Sequence, residues 1–214
     1  MNRYGLKKRQ RNTKKDVRFI IIICEGECTE PIYFKRFNSE LRFSGVSIKT
    51  PPVPETNPVQ LVRAAIHLKN RRDCRISLKE GDEIYCVYDV DDNTDKDLNI
   101  AFDLAKKNGI KVLLSNPCFE IWFLLHFLQV NTAYYREELF EKIKDYIADY
   151  EKSQEVYHLL RDRQQTAIDN AKNLNIFHEE RGISLYCRAS NPSTQVFELV
   201  EYIQSISKSS GRTS

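Results

Sequence analysis

Three runs of β-branched and aromatic residues divide the first half of the chain. They cover residues 17–24, 83–89 and 110–114, and they predict strands buried on both faces, as in parallel sheets. Residues 46–57, which contain three prolines, allow at most a short strand followed by a loop. Helical spacing of apolar residues fills the stretches between and after the runs: 29–41, 58–73, 95–108, and an apolar helix opened by Asn116-Pro117.

The pattern becomes mainly helical beyond about residue 130. Residues 183–187 could form a last strand, and Ser193 or Thr194 is placed to cap a terminal helix. Strand and helix alternate as in βαβ units, so we expect an α/β fold with a mostly parallel, Rossmann-like sheet, helices on both faces and a helical C-terminal elaboration. We expect a flexible basic arm over 1–16, a single domain over 17–207 and a disordered tail over 208–214.

Composition narrows the class of protein. Of the 214 residues 41% are hydrophobic, which is enough for a real core. The longest apolar run, Phe19 to Cys24, is far shorter than the roughly 20 residues of a membrane span, so no membrane association is expected. The six cysteines include no C-x-x-C pair, and no apolar segment of a secretory signal follows the basic N-terminus. We therefore expect reduced thiols and a cytoplasmic location.

The net charge of +3 is unevenly distributed. The first fifteen residues carry seven cations and no anion, whereas the other 199 carry 26 cations and 30 anions. Such an arm can bind the phosphates of DNA or RNA, or it can be a solvated tail. Its candidate nucleic-acid contacts are Arg3, Lys7, Lys8, Arg9, Arg11, Lys14 and Lys15.

Acidic residues follow two of the predicted strands. Glu25 comes directly after the first, and Asp89 and Asp91 come at the end of the second. Ligands bind at the carboxyl ends of parallel strands, so these acids would meet in one crevice if the strands are neighbours. Carboxylates packed together must share a proton or a cation, and oxygen ligands suit Mg²⁺, with Mn²⁺ able to substitute. Alternatively, these acids are turn and helix-cap residues.

Further residues could belong to the same site. Asp92 adjoins the pair, and Glu120 follows Asn116-Pro117 on an otherwise apolar helix. Glu120 could face the crevice, or it could be an ordinary acid of the first helical turn. Phosphate-binding glycine loops and the G-x-S-x-G motif of hydrolases are missing from the sequence.

Four segments in order resemble the motifs of the RloB-like proteins, a bacterial family with a TOPRIM-type domain. They are CEGECTEPIYF at 24–34, VYDVDD at 87–92, NPCFEIW with LLHF at 116–127, and NPST at 191–194. The resemblance extends over about residues 18–205. It implies a TOPRIM-like fold in which Glu25 is the acid-base residue and Asp89 and Asp91 hold Mg²⁺ at a phosphodiester bond.

The resemblance also implies a role in bacterial restriction and phage defence, with a nucleic-acid target and a partner protein from the same operon. The expected function is a Mg²⁺-dependent nuclease, with Glu25 as a catalytic residue and additional metal ligand. One alternative is an inactive module of the same fold that binds nucleic acid or a partner protein. Another is an enzyme that acts on a different phosphoester, such as a nucleotide.

Overall fold

A five-stranded sheet forms the centre of the protein. The computed structural model describes residues 18–26, 28–40, 46–52, 57–71, 76–90 and 93–210. Along this part of the chain the strands run in the order β2-β1-β3-β4-β5; β1 to β4 are parallel, and β5 is antiparallel to β4. The strands are β1 (Arg18–Cys24), β2 (Val46–Lys49), β3 (Glu83–Asp89), β4 (Lys111–Asn116) and β5 (Ser193–Thr194).

Eight α-helices accompany these strands in the described ranges. Four lie between or directly after the parallel strands: α1 (Thr29–Glu40), α2 (Pro58–Asn70), α3 (Asp95–Lys107) and α4 (Glu120–Leu125). The other four form the C-terminal part: α5 (Arg136–Lys144), α6 (Tyr157–Leu160), α7 (Gln164–Glu179) and α8 (Val196–Ser210). None of these helices is both long and apolar enough to cross a lipid bilayer.

The two faces of the sheet carry separate apolar clusters because successive side chains of a strand point to opposite sides. Ile20 and Ile22 of β1 pack with the aromatic residues of α1 and with α4, α7 and α8. Ile21 and Ile23 pack against α2 and α3 on the other face. Burial on both sides explains the unbroken apolar run of β1, and the predicted α/β class with helices on both faces is confirmed. The more specific TOPRIM-like topology stays a prediction.

The helix expected at Asn116-Pro117 begins later than predicted. Asn116 is the last residue of β4, a cis peptide bond joins it to Pro117, and α4 starts only at Glu120. Asn116 remains in the strand because it pairs with Ser193 of β5. The chain therefore turns at Pro117 before the helix begins.

The predicted strand over residues 183–187 is wrong. That segment forms turns, and β5 lies instead at Ser193–Thr194, where we expected a helix cap. The free edge of β4 selects this pair because the hydroxyl groups of Ser115 and Thr194 lie 2.9 Å apart in a buried hydrogen bond. Thr194 nevertheless contributes to the helix start, since its Oγ1 accepts a hydrogen bond from the Val196 amide.

Asp82 completes the hydrogen bonding at the start of the central strands. Its buried carboxylate accepts hydrogen bonds from the amides of Phe19, at 2.8 Å, and Ser77, at 2.9 Å. We expect Asp82→Ala to lower the free energy of unfolding by roughly 2–4 kcal/mol, because two backbone donors lose their acceptor. Asp82→Asn, which keeps one acceptor oxygen, should cost less, and Asp103→Ala on the exposed face of α3 should cost little. Denaturant unfolding monitored by circular dichroism measures all three; equal losses for the two Asp82 variants would contradict this account.

Candidate active site

Glu25 and Asp89 meet at the carboxyl edge of the sheet. The parallel register pairs Cys24 with Val87, so Glu25, which follows β1, lies beside Asp89, the last residue of β3. The Glu25 amide donates a hydrogen bond to the Val87 carbonyl oxygen at 3.0 Å, and Glu25 Oε2 accepts one from the Asp89 amide at 3.0 Å. The backbone of β3 therefore fixes the orientation of the Glu25 carboxylate.

Asp89 also lies beside two residues that follow β4. One ligand atom each of Asp89, Cys118 and Glu120 lies within 4.8 Å of the other two. Asp89 is 8% exposed, Glu120 is 1% exposed, and Cys118 is fully buried. Two carboxylates and a thiol at this spacing could hold a metal ion; Glu25 is not a member of this group, although it adjoins Asp89.

Hydroxyl groups from two other elements hold the Glu120 carboxylate. Its Oε1 accepts hydrogen bonds from the Thr29 hydroxyl at 3.3 Å and from the Tyr150 hydroxyl at 3.4 Å. Thr29 begins α1, and Tyr150 follows α5 in the C-terminal part of the chain. Of the two interpretations given for Glu120 above, this placement favours the one in which it faces the crevice.

A further acid, Glu30, packs against this cluster. Burial raises the pKa of Glu30 above its ordinary value of 4.5, and the nearby Glu120 carboxylate raises it further. The Gly26 amide donates a hydrogen bond to Glu30 Oε1 at 3.4 Å, and a Cβ at position 26 would lie 2.5 Å from Glu30 Oε2. The glycine after Glu25 therefore allows the loop to lie directly against the Glu30 carboxylate.

These acids line a cavity of about 200 Å³ that also contains two cationic side chains, Arg136 and Lys152. Arg136 Nη2 lies 3.4 Å from Asp89 Oδ2 and forms an ion pair in which the carboxylate side chain is only 12% exposed. The cavity thus combines carboxylates that can bind a cation with positive groups that can bind an anion.

The donor set fits a hard divalent cation better than a soft one. Burial, with the nearby Glu120 and Asp89 carboxylates, raises the pKa of the Cys118 thiol well above its ordinary value. Two of the three candidate ligand atoms are the carboxylate oxygens of Asp89 and Glu120. Oxygen donors of this kind are those of Mg²⁺ and Mn²⁺ sites.

The structure describes only some of the residues predicted for this site. Glu25, Asp89 and Glu120 lie together as stated, and their roles as ligands or catalytic groups stay predictions. Asp91 and Asp92 lie outside the described residues, as does the whole basic arm with its seven candidate contacts.

Several residues that line the cavity or belong to the metal-ligand group were not among the predicted site residues. Thr29, Glu30 and Cys118 lie within motifs of the family resemblance, so their place in those motifs was a usable signal. Arg136 and Lys152 lie in the C-terminal part, and nothing in their local sequence distinguishes them from other surface cations. Only the packing of that part against the sheet edge reveals them.

Neutralising Glu30 should stabilise the protein at pH 7. The pKa of Glu30 is higher in the folded state than in the unfolded state. The contribution of Glu30 to the free energy of unfolding is therefore complete at pH values below its unfolded-state pKa, and it is lost as the pH rises through its folded-state pKa. We expect Glu30→Gln to unfold at a higher temperature than the wild type at pH 7, with the gain shrinking towards pH 4. Each kcal/mol of gain corresponds to roughly 2–4 °C in a chain of this size.

Calorimetric scans in EDTA at both pH values measure this difference. Glu180→Gln, at an exposed position, serves as the control that should show no such pH dependence. A gain for Glu30→Gln of equal size at pH 4 and pH 7 would contradict the assignment.

Comparison with known proteins gives one clear result. A family model described as "RloB-like protein" matches residues 20–203, which extend from within β1 to the middle of α8 and include every described residue of the acidic cavity. No curated protein and no solved structure matches the chain. The matched region covers most of the sequence, and the chain therefore belongs to the RloB-like protein family.

Proposed function

We propose that this protein is a Mg²⁺-dependent nuclease that cleaves phosphodiester bonds of DNA or RNA in bacterial defence against phage. The observation that carries the proposal is the acidic cavity at the carboxyl edge of the sheet, where oxygens of Asp89 and Glu120 lie within 4.8 Å of each other. Membership of the RloB-like family supports the assignment to defence, because the resemblance described above implies that context.

Asp89 and Glu120 would hold the metal ion, with Glu25 and Asp91 as the further predicted ligands. The ion would polarise a phosphoryl oxygen and lower the pKa of a bound water. Mn²⁺ would substitute for Mg²⁺, since both ions bind carboxylate oxygens.

The remaining groups of the cavity have roles that follow from their charge and position. Glu25, held by the Asp89 amide, presents a fixed carboxylate that can accept or donate a proton. Arg136 and Lys152 place positive charge beside the carboxylates, where a phosphate of the substrate would otherwise be repelled. The basic arm would add phosphate contacts that do not depend on sequence.

One observation favours the alternative of a binding module without turnover. The Arg136 guanidinium pairs with Asp89, the central predicted ligand, and so neutralises part of the charge that would attract a metal ion. In that case the protein would bind nucleic acid, or a partner protein of a defence operon, through the same edge of the sheet. Binding would weaken with salt and on removal of residues 1–15, and no metal-dependent product would form.

The nuclease proposal is tested by incubating the protein with labelled DNA and RNA in Mg²⁺, Mn²⁺ or EDTA. We expect cleavage only with a divalent ion, and a loss of at least about 10²-fold in the Glu25→Gln and Asp89→Asn variants. Asp162→Asn, whose side chain is 87% exposed, is the matched control and should retain full activity.

Titration calorimetry with Mn²⁺ gives a second readout that does not depend on turnover. Asp89→Asn and Glu120→Gln should each weaken Mn²⁺ binding, whereas Asp162→Asn should not. If no substrate is cleaved but the protein binds the polynucleotide in a salt-dependent manner, the nuclease proposal is rejected in favour of the binding module. Strong competition by free nucleotides would indicate a small phosphoester as the substrate.

A further inference from the structure

A second cavity of about 400 Å³ lies next to the acidic one, and Arg136 lines both. Val90 and Asn116 place it at the same carboxyl edge of the sheet, after β3 and at the end of β4. Its volume is in the range of pockets that hold a small organic ligand. We propose that this second cavity binds one unpaired base of a single-stranded nucleic acid, and that the adjoining phosphate thereby reaches the acidic cavity.

Tyr135 is the feature that points to a base. Tyr135 lines the second cavity, and 77% of the residue is exposed to solvent. This is the highest exposure of any large hydrophobic residue in the described part of the chain. An aromatic ring in this position leaves apolar area in contact with water, and a nucleic-acid base would cover it. Stacking on a tyrosine ring is also tolerant of sequence, because every base has a π-face.

Two arginine side chains line the cavity together with this ring, along with one carboxylate, that of Glu137. Arg136 follows Tyr135 directly, and Arg188 enters from the segment between α7 and β5. The Arg188 side chain is oriented by a hydrogen bond from Nη1 to the Asn93 carbonyl oxygen at 2.9 Å. Guanidinium groups and an aromatic ring in one cavity are the groups that bind the phosphates and the bases of a single strand.

Side-chain amides hold both parts of this cavity in place. Asn191 Oδ1 accepts a hydrogen bond from the Tyr134 amide at 3.1 Å, and Asn191 Nδ2 donates one to the Tyr134 carbonyl oxygen at 2.8 Å. Asn116 Nδ2 donates to the carbonyl oxygens of Cys187, at 3.2 Å, and Arg188, at 3.1 Å. Asn191 therefore positions the segment that carries Tyr135 and Arg136, and Asn116 positions the turn that carries Arg188.

A duplex would not use this cavity in the same way. A base within a duplex is stacked and paired, so it can enter a pocket only after being extruded, which costs free energy. The cavity consequently favours a single strand over a duplex of the same length. This inference rests on the proposed function, which supplies the phosphodiester substrate. It further specifies that this substrate is single-stranded and that Tyr135 contacts its unpaired base.

The test measures binding of the full-length protein in EDTA, where metal-dependent cleavage does not interfere. Fluorescence anisotropy is recorded with a labelled single-stranded 15-mer, as DNA and as RNA, and with a hairpin duplex. We expect tighter binding of the single strand, and we expect Tyr135→Ala to weaken it by at least about fivefold, the effect of losing one stacked base. Tyr135→Phe should bind as the wild type does, because the phenyl ring still stacks.

Tyr146→Ala is the matched control, since Tyr146 is also an exposed tyrosine, at 39%, but does not line the cavity. It should bind the single strand unchanged, and thermal unfolding of each variant shows that it is folded. Asn191→Ala should lower single-strand affinity in the same direction as Tyr135→Ala, because the tyrosine segment loses its two hydrogen bonds. Arg188→Ala should reduce the salt dependence of binding by about one phosphate contact, whereas Arg181→Ala, in the exposed turn after α7, should not.

The inference is overturned if Tyr135→Ala binds the single strand as tightly as the wild type does, if the hairpin loses affinity equally, or if the wild type prefers the hairpin. Its failure is distinguishable from failure of the nuclease proposal. If the protein prefers single strands in a Tyr135-dependent manner but cleaves nothing in Mg²⁺ or Mn²⁺, the base-binding site is supported and the nuclease proposal is contradicted.

Discussion

The parallel pairing of β1 with β3 is the constraint on which the site depends. Its register places Cys24 beside Val87 and thereby brings Glu25, directly after β1, and Asp89, at the end of β3, to one edge of the sheet. A shift of one residue would turn the side chains of β1 to the opposite faces of the sheet. The apolar residues of both faces therefore enforce the same register that brings the acids together.

Concentrating carboxylates at this edge has an electrostatic cost that the surrounding structure reduces. Asp89 pairs with Arg136, and Glu120 accepts hydrogen bonds from Thr29 and Tyr150. Glu30 lies near the Lys152 cation, which lowers its pKa, but burial and the neighbouring Glu120 carboxylate outweigh this effect and raise the Glu30 pKa. Such an arrangement is expected where a cation or a proton is shared, because structural acids are usually left in solvent.

The C-terminal part of the chain completes the site instead of simply covering one face of the sheet. It supplies Arg136 and Lys152 to the acidic cavity and the Tyr150 hydroxyl to Glu120. It also supplies Tyr135 and Arg188 to the cavity beside it. The two Asn-Pro segments connect this part to the sheet, since Asn116 holds the turn before β5 and Asn191 holds the start of α5. Metal chemistry and strand binding would thus depend on elements from both halves of the chain.

The sequence by itself determined the α/β class and the three central strands, because hydrophobic periodicity is a local property. The contact of Glu25 with Asp89 required the pairing of β1 with β3, so the sequence placed both acids at strand ends but left their meeting conditional on that pairing. It misplaced the start of α4 and the last strand, since pairing with the edge of β4 selects Ser193–Thr194 over the more apolar residues 183–187. Only the tertiary structure brought Arg136, Lys152 and Tyr135 to the site. Their positions depend on contacts between residues dozens of positions apart, such as those of Asn191 with Tyr134, and no local pattern encodes such contacts.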